Sequence, residues 1–222
     1  MSIRIGASPA PLPTVLLEKL GRVSFPTLGH YLEEGFADPG IVRVAGAGRV
    51  VGRAVTVRTT ATDSTMLHHA AGLVEQGDVI VVDTGGDVRH APLGQVVATA
   101  LALRGAAGAI VDGSATDIDE ISPLGLPVHA RGLSMLTTKL HDIDAGGLNV
   151  PIVCGGVVVA AGDVVLADAN GVLFASVQVL ESVIDIALAD DAEEPDLIQE
   201  LRGGGRLGEL TGATSTVEGF LV

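Results

Sequence analysis

The chain has 222 residues, 47% of them hydrophobic and 18% charged, which suits one folded domain with a sizeable core and excludes a disordered chain. Its formal net charge of −14 and its 2% aromatic content exclude the basic surface and the base-stacking platforms of nucleic-acid binders, so no nucleic-acid partner is expected. The single cysteine, Cys154, excludes an intramolecular disulfide, and with no signal-like start it points to the reducing cytoplasm.

Residues 14–36 read as helical material broken by Pro26. Residues 50–59 alternate, with Val55 and Val57 on one side and Thr56 and Arg58 on the other, which predicts a half-buried strand. Asp63 or Ser64 then offers a helix N-cap. Met66 or Leu67, Ala70 and Val74 follow at helical spacing up to Gly77. Residues 79–82 are a short β-branched run, hence a buried strand. Gly85-Gly86 breaks it. Residues 92–103 put Leu93, Val96, Val97, Ala100 and Leu101 on one stripe, a helix with Pro92 near its start and Gly105 at its end. Residues 109–111 make a second buried strand, closed by Asp112-Gly113. A short helix from about Thr116 and a strand around Val128 complete an alternating α/β region.

The pattern then changes. Residues 152–153, 157–159, 164–166 and 172–174 are short strands separated by Gly, Asp and Asn turns, and Asn170-Gly171 signals a hairpin. Cys154 falls in a buried-strand pattern, an inert core position rather than a nucleophile. Helices over residues 177–189 and 195–202 follow, with much of the acid between Glu181 and Glu200 on a solvated face. Gly203-Gly204-Gly205 reads as a joint before a short tail. No apolar run is long enough to cross a membrane, so no membrane partner is expected. Gly77-Asp78-Val79 leading to Asp83 is echoed by Gly162-Asp163-Val164 leading to Asp168. Paired Gly-Asp turns feeding buried strands explain the echo better than a functional duplication.

Two places carry chemistry. Gly85-Gly86 follows a strand, and the helix start around Gly94, Gln95 and Val96 offers backbone N–H groups to an anion. Neither the dinucleotide glycine pattern nor a phosphate loop is present. The loop Asp112-Gly113-Ser114-Ala115-Thr116-Asp117, with Asp119 and Glu120 after it, gathers carboxylates that suit a hard cation such as Mg²⁺ or Mn²⁺. The plainer alternative is that Thr116 or Asp117 caps the next helix. His68-His69 point different ways from a regular helix, and His129 and His141 stand alone, so structural roles are favoured for all four. Arg131 ends a strand, where it either binds an anion or pairs with a carboxylate.

In order, these blocks resemble the regulator-of-ribonuclease-activity-A-like family. They are residues 77–83, Gly85-Gly86, Gly94-Gln95, Gly108 to Asp112-Gly113 with Thr116-Asp117, residues 126–132, residues 150–157, and residues 161–168 with Asn170-Gly171-Val172. The resemblance covers about residues 25–205 and implies a swivelling β/β/α domain with glycine-rich strand-end loops. One domain is expected over residues 1–222, with a helical segment at 14–36 and a helical tail at 177–222. The family implies a homotrimer or homohexamer. It also implies an aldolase or decarboxylase acting on pyruvyl-type oxo acids with a divalent metal, Mg²⁺ or Mn²⁺. By that resemblance Asp117 matches the metal-binding aspartate, and Gly94, Gln95, Val96 and Thr116 fall at the substrate. Glu193 or Glu194 of a neighbouring subunit are the candidates for the metal's outer shell.

Two positions depart from the pattern. Thr116 stands where the family has an arginine, and Gln95 stands where it has Asp or Glu. Threonine cannot clamp a carboxylate, and glutamine cannot accept a proton at neutral pH, so altered or reduced lyase activity is expected. Arg89 or Arg131 are the candidates to replace the missing cation. The competing expectation is a noncatalytic, protein-binding regulator similar to the ribonuclease-inhibiting members.

Overall fold

The computed structural model describes residues 2–141 and 145–221. Its elements, in chain order, are β1 (Arg4–Ile5), α1 (Thr14–Arg22), α2 (Phe25–Leu28), β2 (Val42–Ala45), β3 (Val50–Arg58), α3 (Thr65–Ala71) and β4 (Asp78–Asp83). Next come α4 (Gln95–Leu103), β5 (Gly108–Ala115), α5 (Ile118–Ile121), β6 (Val128–Leu133), β7 (Gly147–Leu148), β8 (Ile152–Cys154) and β9 (Val157–Val159). β10 (Val164–Ala167), β11 (Val172–Ala175), α6 (Val177–Arg202), α7 (Leu207–Leu210) and α8 (Ala213–Gly219) close the chain.

The main sheet runs β1-β7-β3-β4-β5-β6-β2, and its centre, β3 through β6, is parallel. β10 pairs antiparallel with β3 and carries β11 beside it, while β8 and β9 form a separate hairpin. Alternation along the strands sorts the core into layers. Ile80 and Val82 of β4 pack with Leu67 of α3 and Val97, Ala98 and Leu101 of α4. Val79 and Val81, on the opposite face, pack with Ile152, Cys154 and Val159 of the hairpin and with Phe174. A third cluster sets Leu16, Leu20, Leu180 and Ile184 against Val164, Leu166 and Leu173. A helical layer, a sheet and a hairpin layer make the β/β/α arrangement that the resemblance implies. Each fully buried Leu or Ile contributes about 1.5–3 kcal/mol.

β3 departs from its half-buried expectation. Val50, Ala54, Val55, Thr56 and Val57 are all buried, because helices cover one face and hairpins the other. Pro26 does not break α2 but lies in its first turn, where the missing N–H costs nothing. α3 stops at Gly72 rather than Gly77. α4 begins at Gln95 instead of near Pro92, because residues 91–93 pair with other segments as extended chain.

The two C-terminal helices expected around Pro195 are one helix, α6. Side chains one turn earlier hold it in place. Asp191 accepts from the Ser24 N–H at 2.6 Å and the Thr27 hydroxyl at 2.5 Å, and Asp190 accepts from the Tyr31 hydroxyl. The β10–β11 hairpin forms as expected, although only Gly171 of the Asn-Gly pair has positive φ. The Gly-Asp echo is a shared turn. Gly77 and Gly162 have φ of 84° and 94°, and Asp78 and Asp163 each accept the N–H three residues back, from Glu75 and Ala160.

Candidate functional site

The site lies where β5 ends beside the start of α4. Thr116 N–H donates to the Leu93 carbonyl at 3.0 Å, which closes β5 against residue 93. Asp117 then takes φ 56°, a left-handed conformation that Asp tolerates better than most side chains. That turn sends its carboxylate back to α4, where Oδ2 accepts the Gln95 N–H at 2.9 Å. Asp117 occupies the N-cap position of α5, yet its side chain caps α4 instead. The contact needs glycine at 94, because a Cβ there would lie 2.5 Å from Asp117 Oδ2 and 2.8 Å from Thr116 Cγ2. The first helical bond runs from Ala98 N–H to the Gly94 carbonyl, which leaves the Val96 and Val97 N–H groups without a helical acceptor.

A second wall comes from α3 and residues 137–141. Lys139 N–H donates to the Thr62 carbonyl at 2.9 Å, and the Lys139 carbonyl accepts from Ser64 N–H at 3.0 Å. On the other side, Thr138 N–H donates to the Ala91 carbonyl at 3.2 Å. Asp63 accepts the N–H groups of His141 at 2.5 Å and Thr65 at 2.8 Å. Burial alone would raise the Asp63 carboxyl pKa, but these donors outweigh burial and hold it below the usual range.

Between the walls is a cavity of about 210 Å³, sized for a small acid, lined among others by His68, Gly94, Val96, Thr116, Asp117 and Lys139. Among the described residues Asp117 is its one carboxylate, Lys139 its one cation and His68 its one imidazole. The fold therefore joins Gly94, Val96, Thr116 and Asp117 in one place, and Gln95 supplies its N–H to Asp117. Lys139 and His68 were not singled out for this site from the sequence. The only available signal was that Lys139 is one of two lysines in an acidic chain.

The replacement arginines lie elsewhere. Arg131 is drawn off by two carboxylates, pairing through Nε with Asp112 and through Nη1 with Asp38 at 3.1 Å. Those partners, Asp112 foremost, raise its pKa further. Arg89 is exposed on a loop, and neither arginine lines the cavity. Gly85-Gly86 does not line it either; Gly85 N–H turns back to Asp83 Oδ1 at 2.8 Å. Glu193 and Glu194 line a separate groove beside Thr27 and His30. Cys154 is buried, and that burial pushes its thiol pKa far up, as expected of an inert core residue.

Asp117 suits a divalent ion as a single-carboxylate ligand. Its Oδ1 meets the Thr116 hydroxyl at 3.3 Å, and among the described residues no three His, Cys, Asp or Glu side chains gather to cage an ion. A hard cation that keeps most of its water asks for no more than one or two carboxylates.

The family model described as RraA-like, Aldolase/RraA, matches residues 27–174, and the chain belongs to that family. A protein of Halalkalibacterium halodurans, provisionally named 4-hydroxy-4-methyl-2-oxoglutarate aldolase, is 36% identical over 146 residues, 66% of this chain and 69% of that protein. An uncharacterized protein from Pseudomonas syringae pathovar tomato shares the fold with a TM-score of 0.78 at 22% identity, over 94% of this chain and 98% of that one. Streptomyces coelicolor RraAS2, described as an unusual member of the RNase ES inhibitor RraA family, superposes with a TM-score of 0.71 at 26% identity, over 86% of this chain and 99% of its own. Among the described residues no helix is long and apolar enough to cross a membrane.

Proposed function

We propose that this protein is a lyase, an aldolase or decarboxylase, that breaks a carbon–carbon bond in small pyruvyl-type oxo acids with Mg²⁺ or Mn²⁺ bound through Asp117. The observation that carries the reading is the meeting of the Asp117 carboxylate, the open N–H groups of α4 and one small polar cavity. In such a reaction the electron pair of the broken bond moves into an enolate, whose oxygen must be stabilised. The Val96 and Val97 N–H groups, at the positive end of α4, are our candidates to bind the pyruvyl carboxylate. The ion, when bound, acts as a Lewis acid. His68 lines the cavity and can hold the proton that the enolate carbon takes up, a role that Gln95 cannot fill.

The experiment is oxaloacetate decarboxylation by the parent and by Asp117→Asn, with Mg²⁺ present. Asparagine keeps an acceptor for the Gln95 N–H and removes the charge. A loss of at least about tenfold in kcat/KM is expected. A parent no faster than Mg²⁺ alone, or an Asn variant as fast as the parent, refutes the reading.

Thr116 and Gln95 favour a second reading, a noncatalytic regulator that binds a protein, since both replace charged groups of the family pattern. We also infer a homotrimer or homohexamer in the cytoplasm. Exposed Val217, Phe220 and Leu221 at the C-terminal end support an assembly, as apolar side chains with no cover in a single chain.

A further inference from the structure

We propose that Lys139 is the cation that binds a substrate carboxylate in this cavity, in place of the guanidinium that Thr116 cannot supply. The substrate class rests on the lyase reading above; the placement of the charge does not.

Three observations carry it. Lys139 lines the cavity together with Gly94, Thr116 and Asp117, and among the described residues it is the only cationic side chain there. Its Nζ is held by uncharged groups, the Thr137 carbonyl at 3.0 Å and the Thr137 hydroxyl at 3.3 Å. No carboxylate pairs with it among the described residues, whereas the other lysine, Lys19, pairs with Asp185 at 2.5 Å. The backbone of residue 139 is fixed on both sides, by Thr62 and Ser64, so the ammonium is delivered from an anchored base and not from a loose loop.

An ammonium whose only partners among the described residues are a carbonyl and a hydroxyl can exchange them for an anion at little loss, since a charge-assisted bond to carboxylate is the stronger one. A flexible stem lets it follow the ligand, which a guanidinium fork on the Thr116 side would not do. With N–H donors on the α4 side and the ammonium on the 137–141 side, the cavity favours acids with two carboxylates over those with one.

Calorimetric titration with oxalate, a small planar dicarboxylate, tests this in buffers with and without Mg²⁺. Parent and Lys139→Arg are expected to bind within about threefold of each other, and Lys139→Met about tenfold or more weakly, the order of one charge-assisted bond. Rising salt is expected to weaken parent binding and to leave the Met variant nearly unaffected. Thermal melting checks folding, with Lys139→Gln as the alternative should methionine disturb it. A Met variant that binds like the parent overturns the assignment, and the lyase reading still stands if Asp117→Asn slows decarboxylation. Lys139-dependent binding without turnover upholds the assignment and overturns the lyase reading. A parent that binds oxalate in neither buffer overturns both.

Discussion

Replacing Gly94 with alanine tests how the site is held together. The backbone at 94 has φ −136°, an extended conformation open to any residue, so alanine brings no torsional penalty. Its cost is steric, because the new methyl would sit 2.5 Å from Asp117 Oδ2 and 2.8 Å from Thr116 Cγ2. Both atoms are side-chain ends and can swing away. Once Asp117 swings, the 2.9 Å bond from Gln95 N–H is lost, and with it the cap on α4. Loss of a helix cap at an exposed site costs about 1–2 kcal/mol. In a domain of this size that lowers the melting temperature by about 2–8 °C. Gly132→Ala is the control, since a Cβ there meets nothing within 4 Å and its φ is not left-handed. It should melt at or slightly above the parent temperature. Calorimetry and oxalate titration read stability and site geometry together. If Gly94→Ala melts within about 1 °C of the parent and binds oxalate equally well, the idea that glycine 94 exists to admit the 116–117 loop is refuted.

His129 gives a pH test. Its ring is fully buried, Nε2–H donates to the Asp168 carbonyl at 2.9 Å, and Nδ1 has no partner among the described residues. Burial lowers its pKa, so the unfolded chain takes up the proton that the folded chain refuses. The stability of the neutral form is complete above about pH 6.5 and is lost as pH falls from there toward the folded pKa. His129→Leu should be less stable at neutral pH, from the unpaired Asp168 carbonyl, and its denaturation curves should approach the parent's as pH drops. Parallel curves would exclude His129 from the acid sensitivity. For assembly, small-angle scattering at micromolar concentration should give the mass of a trimer or hexamer, and a monomer would refute the inference.

The alternating order of strands and helices was legible because buried β-branched runs and glycine stops are local signals. The meeting of Gly94 with Asp117 was also legible, through the spacing of the family's blocks. Lys139 was not. Residues 134–141 carry neither period, and they take their place by bonding to residues far away in sequence, among them Thr62, Asp63, Ser64, Ala91 and Ala115. The arginines misled for a related reason. Sequence shows that Arg131 is cationic, but not that Asp112 and Asp38 already hold it. Pro195 looked like a stop, yet contacts from Asp190 and Asp191 to the other end of the chain carry α6 through it.

β3 gives the molecule its mechanical character. It is bonded along one edge to β4 from Arg53 to Arg58, and along the other to β10 at residues 50–53 and to β7 at residues 57–58. Inside the sheet, Arg53 pairs with Asp78 at 2.8 Å, riveting the foot of β3 to β4. A strand stitched on both sides behaves as a spine: β4 cannot part from β10 or β7 without tearing its ladders. The cavity lies off this spine, among α3, the start of α4, the 116–117 turn and residues 137–140, so its walls are set by loop contacts and not by the ladders of β3.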